Sequence, residues 1–212
     1  MAFLNPVNAR GPTKGRLAGA RSVPWPGMIG ARAAPWTRWQ VVRAASGHPV
    51  FKLPHGGPAS ARSPEHTAAN FAYFEGLKRD RLAHLRFYLA KFGVDATDTA
   101  AVASWLPRYG QALLPTVRHI EALKSGDKAW AGDFATLNVV ADLAIAEGEA
   151  AVALGQRWRW IADPAVIATS AALSDGNRQI DVVTEIAACC IDSKGERILA
   201  LRETLSRTCV SA

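Results

Sequence analysis

DFATLNVVADLAIAEGEAAVALG, residues 133–155, is the most apolar stretch of the chain, and its reading decides the fold. Asp133 can cap a helix there and Gly155 can stop it. Between them Phe134, Leu137, Val139, Val140, Leu143, Ile145, Ala150, Val152 and Leu154 cover most of the circumference. A helix that is apolar nearly all round belongs at the centre of a small domain. Three polar residues break the pattern. Asn138, Asp142 and Glu149 sit at i, i+4 and i+11, within roughly 40° of one another at 100° per residue, so they share one face. A carboxylate entering an apolar core is costly unless it is paired. The candidate cations are Arg157 and Arg159, just past the helix stop, with Arg81, Arg86 and Arg108 as further options. Gly148 costs about 1 kcal/mol against alanine in a helix interior. Its presence is expected where another group approaches closely.

Helical signals surround this segment. Ser63-Pro64-Glu65 supplies an N-cap, a proline suited to the first turn and an acid for the positive helix end. Phe71, Phe74, Leu77, Leu82, Leu85, Leu89 and Phe92 then recur at helical spacing up to Gly93. The run Lys78-Arg79-Asp80-Arg81 reads as the solvated face of that helix. Asp95 or Thr97 is placed to cap a shorter helix that Pro107 ends. Tyr109-Gly110 reads as a turn, Pro115 as the start of a third helix and Gly126 as its stop. Residues 128–132, with Trp130, read as a loop. Gln156-Arg157-Trp158-Arg159-Trp160-Ile161 alternates polar and apolar, which predicts a short strand with both tryptophans on one side. Pro164 to Leu173 fits strand or helix, and Asp175-Gly176-Asn177 reads as a turn. Val182, Val183, Ile186, Ala187 and Cys190 form a helical stripe, and Ser193 to about Arg207 predicts a last helix.

The expected fold is therefore mainly α: a single compact helical domain over residues 63–212, with a short strand or small sheet near 157–173. Residues 1–62 read as a basic leader, rich in proline and glycine and disordered. The first acidic residue is Glu65, and residues 1–64 hold nine basic ones; the other 148 hold 16 basic and 18 acidic residues, a net of −2. The formal +7 thus belongs to the N-terminal third, and the body is not a basic nucleic-acid-binding domain. The leader reads as a basic tail for nucleic acid or anionic lipid, as a targeting segment, or as an extension without a role that is not necessarily translated. Trp25, Trp36 and Trp39 among Arg32, Arg38 and Arg43 are the feature that favours stacking or an interface.

The longest charge-free stretch, Pro164 to Ser174, is far shorter than the roughly 20 apolar residues of a membrane span. The three cysteines, Cys189, Cys190 and Cys209, have no zinc-ligand spacing and fit a reducing cytoplasm. His48, His55, His66, His84 and His119 are scattered, and the familiar nucleotide, hydrolase and zinc motifs are absent. No catalytic residue, metal ligand or cofactor is assigned. The speculative binding residues are Asp142, Glu149, Arg157, Trp158, Arg159 and Trp160. In one reading the carboxylates anchor neighbouring segments through arginine, tryptophan N–H or backbone. In the other they floor an acidic pocket. Two turns of helix, about 10.5 Å, separate Asp142 from Glu149, which is long for two groups acting on one bond.

Residues 138–149 followed by Arg157-Trp158-Arg159-Trp160 resemble a pattern in uncharacterised bacterial helical proteins. There, a helix with an aspartate and a Gly-Glu pair precedes a tryptophan-bearing strand. Trp105, Tyr109-Gly110 and Trp130 extend the likeness, which covers roughly residues 65–163. It implies an accessory or immunity-like protein that acts by binding a partner. The expected function is thus a non-catalytic protein-interaction module that uses Trp158, Trp160 and the carboxylate face. The alternatives are a small-ligand binder or enzyme with a pocket at Asp142 and Glu149, and a nucleic-acid or membrane-surface binder acting through the leader.

Overall fold

A computed structural model of the chain describes residues 36–122, 131–155, 158–166, 168–192 and 194–207. In chain order the elements are α1 (Arg38–Ala44), a 3-10 turn (Ala59–Ala61), α2 (Pro64–Ala90), α3 (Thr99–Ala122), α4 (Ala131–Ala153), β1 (Arg159–Ala162), β2 (Ala171–Ser174), β3 (Gln179–Ile180), α5 (Val182–Ile191) and α6 (Glu196–Ser206). The mainly α architecture with a small sheet is as the sequence indicates.

α4 runs through the middle and packs against α1, α2, α3, α5 and α6. Val139, Leu143, Ala144 and Ile145 are buried on it. The core around it is aromatic at one end. Trp105 stacks on Tyr109 with centroids 4.4 Å apart, and Tyr88 and Phe92 meet Trp105 edge-on or tilted. α2 begins as its sequence predicts, with the Ser63 hydroxyl accepting the His66 N–H at 3.2 Å, and Gly93 beyond its end takes φ +70°.

The sheet is antiparallel in the order β1-β2-β3, with Trp160 opposite Leu173 and Leu173 opposite Ile180. β2, from the stretch that fits strand or helix, is buried throughout, which is why it carries no alternation. The turn at Asp175-Gly176-Asn177 joins it to β3, with Gly176 at φ +93°.

Three expectations need correction. First, packing among the described residues already includes Trp36 and α1 and does not wait for Ser63. The Thr37 and Gln40 side chains form a capping box on α1, Val41 and Val42 are buried, and Trp36 lies 4.7 Å from Phe92. Proline and glycine in residues 45–62 limit regular structure to the one 3-10 turn without precluding order, because polar side chains of α2 and α4 hold that segment. Second, Pro107 does not end a helix, nor does Pro115 start one. Both lie inside α3, and Tyr109 and Gly110 are helical. The bonds that each proline N–H would have made are forfeited, yet burial of Trp105, Leu106, Tyr109 and Ala112 keeps the helix continuous. Third, the run 78–81 is a solvated face only in part: Arg79 and Asp80 are exposed, whereas Arg81 is buried and Lys78 mostly so. Residues 123–130, with Trp130 and Gly126, lie outside the described residues.

Three glycines allow close approaches. A Cβ on Gly110 would lie 1.6 Å from the Cys190 carbonyl oxygen, so α3 meets α5 backbone to backbone. A Cβ on Gly132 would lie 3.1 Å from Val42, which seats α1 on α4. At Gly148 it would lie 2.1 Å from the Trp160 ring.

Candidate functional site

The predicted polar face of α4 is real, and each of its members grips another part of the chain. Asp142, fully buried, takes a two-pronged bond from Arg81 of α2: Nε donates to Oδ1 at 2.6 Å and Nη2 to Oδ2 at 2.9 Å. Arg81 Nη1 also donates to the Pro49 carbonyl at 2.7 Å. On the other side, His48 Nε2 lies 2.7 Å from Asp142 Oδ2. A carboxylate only accepts, so Nε2 carries a proton. One turn earlier, Asn138 Oδ1 accepts the Phe51 N–H at 2.7 Å, while its Nδ2 donates to Phe134. Thus α4 and α2 together hold residues 48–51.

Glu149 Oε1 accepts from Trp160 Nε1 at 2.7 Å and from Lys78 Nζ at 2.9 Å. The Trp160 ring sits over Gly148 and meets Phe74 edge-on at 4.9 Å. Trp158 is buried, donates Nε1 to the Leu205 carbonyl at 2.9 Å and lies under the Arg178 guanidinium. Arg159 is exposed on β1, and Arg157 lies outside the described residues. The expected site residues are therefore not assembled into one acidic pocket. The cation that neutralises Asp142 is Arg81 rather than Arg159. Glu147, on another face of α4, pairs with Arg202 of α6 at 2.5 and 2.9 Å.

A second buried polar node lies further along the same segment. Asn70 accepts the His55 N–H and donates to the His55 carbonyl, both at 2.9 Å. Its Nδ2 also reaches Ser170 Oγ at 3.2 Å, and Arg62 Nη1 donates to that oxygen at 2.8 Å. Ser170 holds a left-handed backbone at φ +53°, strained for a residue with a Cβ, and these two donors hold it there.

Burial suppresses the candidate nucleophiles. It pushes the Cys189 thiol up to about 11 and Cys190 to about 12. Tyr88 and Tyr109 are likewise raised by desolvation. Asp95, Asp175 and Asp192 are held below the usual carboxylate range by neighbouring backbone N–H groups, as turn and cap residues are. Among the described residues no group of three or more His, Cys, Asp or Glu side chains could hold a metal ion, and no helix is long and apolar enough to cross a membrane.

One cleft touches this framework. It has a volume of about 380 Å³ and lies between α1, the turn at residues 45–50 and the start of α4. Trp39, Val42, Val50 and Ala135 give it apolar walls; Arg43, Ser46 and His48 give it polar groups. Trp39 is 50 % exposed and Val50 47 %. His48 is thus shared: it borders the cleft, and Asp142 holds its buried ring by one nitrogen. Sequence reading missed His48 because 94 residues separate it from Asp142. The legible signal was the demand of a buried carboxylate for a cation, and Arg81 was among the options it raised. No family model, curated protein or solved structure matches the chain.

Proposed function

We propose that this chain is a non-catalytic protein-interaction module, of the accessory or immunity kind, which receives its partner at the Trp39 cleft rather than at Trp158 and Trp160. The observation that carries the reading is the half-exposed Trp39 at the mouth of a cleft whose floor is braced by a buried ion network. Tryptophan anchors on a pre-organised surface dominate interface energetics. Trp158 and Trp160 are engaged in holding α6 and α4 to the sheet.

The test is a tagged pull-down at endogenous level, comparing the native chain with Trp39→Ala and checking the melting temperature of both. The expected result is a stoichiometric partner, lost from the variant at unchanged stability. A partner retained by Trp39→Ala would move the interface elsewhere.

One observation favours a second reading, a small-ligand binder: the cleft volume falls in the range of ligand sites of roughly 300–1,000 Å³. A native chain that comes down alone directs attention to that reading.

A further inference from the structure

Residues 36–62 contain no carboxylate, and their cations fall into two groups. Arg38 and Arg62 turn inward: Arg38 Nη2 pairs with the buried Asp133 at 2.5 Å, and Arg62 bonds Ser170 and the Gly57 carbonyl. Arg43 and Lys52 have no ion pair among the described residues and are exposed, and of the two Arg43 stands at the cleft. The ten residues that line the cleft include Arg43 and His48 and no acid. Gly132 and Ala135 belong to the first turns of the 23-residue α4, whose positive end already carries Asp133, itself paired with Arg38. The carbonyl end of α1, which would oppose a negative ligand, is covered by a donor: Lys91 Nζ bonds the Ala44 carbonyl. Below His48, Asp142 is already neutralised by Arg81, so its charge does not repel an anion at the surface.

Apolar walls, a half-exposed tryptophan and uncompensated positive charge thus meet in one place. We infer that the cleft takes an acidic segment of the partner protein: an apolar side chain seated against Trp39, Val42 and Val50, with a neighbouring carboxylate held by Arg43. The inference rests on the interaction reading above and names the chemistry of the partner.

The probe is a phage-displayed library of random dodecapeptides, selected against the full chain. Selected peptides are then measured by fluorescence polarisation on the native chain, Trp39→Ala and Arg43→Glu. Arg43 is exposed and has no ion pair among the described residues, so its variant is expected to fold as the native chain does, which circular dichroism checks. The expected consensus places Asp or Glu within two residues of an aromatic or aliphatic anchor. Affinity for such peptides falls at least tenfold in both variants, and changing the peptide acid to its amide gives a comparable loss in the native chain only. A consensus without acid, still sensitive to Trp39→Ala, would overturn the inference while leaving the cleft as the interface. Peptides indifferent to Trp39→Ala would overturn both. A dT20 oligonucleotide that binds the native chain as tightly as the peptides and is lost in Arg43→Glu would replace the acidic peptide by nucleic acid.

Discussion

Substitution of Gly148 by alanine sets two quantities against each other. Alanine gains about 1 kcal/mol of helix propensity at an interior position. The new Cβ, however, falls 2.1 Å from Trp160 Cζ2 and 2.6 Å from Cη2, where ordinary contact begins near 3.4 Å. The indole must retreat by more than about 1 Å, and over-packing of this kind costs about 1–3 kcal/mol. Retreat also draws Nε1 off Glu149, a hydrogen bond to a charged acceptor worth about 1.5–3 kcal/mol. Glu149 is partly exposed and keeps Lys78, so the lower end applies to that loss. The net expectation is a destabilisation of about 2–3 kcal/mol, from a substitution that propensity alone scores as favourable. Urea unfolding followed by circular dichroism at 222 nm measures it. Gly76→Ala, in the interior of α2 with nothing within 4 Å of the new Cβ, is the control and should gain about 0.5–1 kcal/mol. A Gly148→Ala chain as stable as the native one, with Gly76→Ala behaving as expected, would refute the seating of Trp160 on α4.

Asp142→Asn leaves the Arg81 guanidinium buried without its counter-charge and should cost about 3 kcal/mol or more. The double change Asp142→Leu with Arg81→Met should cost less than the sum of the two single changes, read from the same urea curves. Gly110→Ala would drive a methyl into the Cys190 carbonyl, and since both partners are backbone-bound the expected outcome is loss of cooperative unfolding or of soluble protein on expression. The thiols of Cys189 and Cys190 have folded values of about 11 and 12 against an ordinary 9.0. A raised value means that their contribution is fully present below about pH 9 and is lost as pH rises through 11 to 12. Relative to Cys189→Ala and Cys190→Ala, the native urea midpoint should therefore fall between pH 8 and pH 10.5. In a Cys209→Ser background, neither buried thiol should react with a disulfide reagent at pH 8 until urea unfolds the chain.

The parts of the fold that were legible in the sequence are those whose burial follows a local period. α4 declared itself by its apolar circumference, α2 by its cap and its aromatic spacing, β1 by alternation at Trp158 and Trp160, and α5 and α6 by their stripes. What escaped depends on side chains of other elements. Residues 45–57 have no period of their own; Asn70, Asn138 and Asp142 hold them through the His55 and Phe51 backbone and the His48 ring. The continuity of α3 through Pro107 and Pro115 escaped because local backbone chemistry opposes it and only tertiary burial enforces it. At the candidate site, the shared face of Asn138, Asp142 and Glu149 and the purpose of Gly148 could be read in advance. The identity of the groups that fill them could not, because spacing along one helix says nothing about which distant segment lies across from it.

The network at Asp142 also orders events during synthesis. His48 waits for a residue 94 positions downstream, Arg38 for Asp133, 95 positions away, and Arg62 for Ser170, 108 positions away. At roughly 5–20 residues per second, the ribosome exposes the N-terminal stretch for about 5–20 s before its partners exist. Throughout that interval the first 64 residues carry cations only. Repulsion among Arg38, Arg43, Lys52 and Arg62 opposes premature collapse of residues 36–62 onto themselves until those partners emerge. The carboxylates it lacks are supplied by α4, and their arrival is what turns a self-repelling nascent tail into one wall of the finished domain.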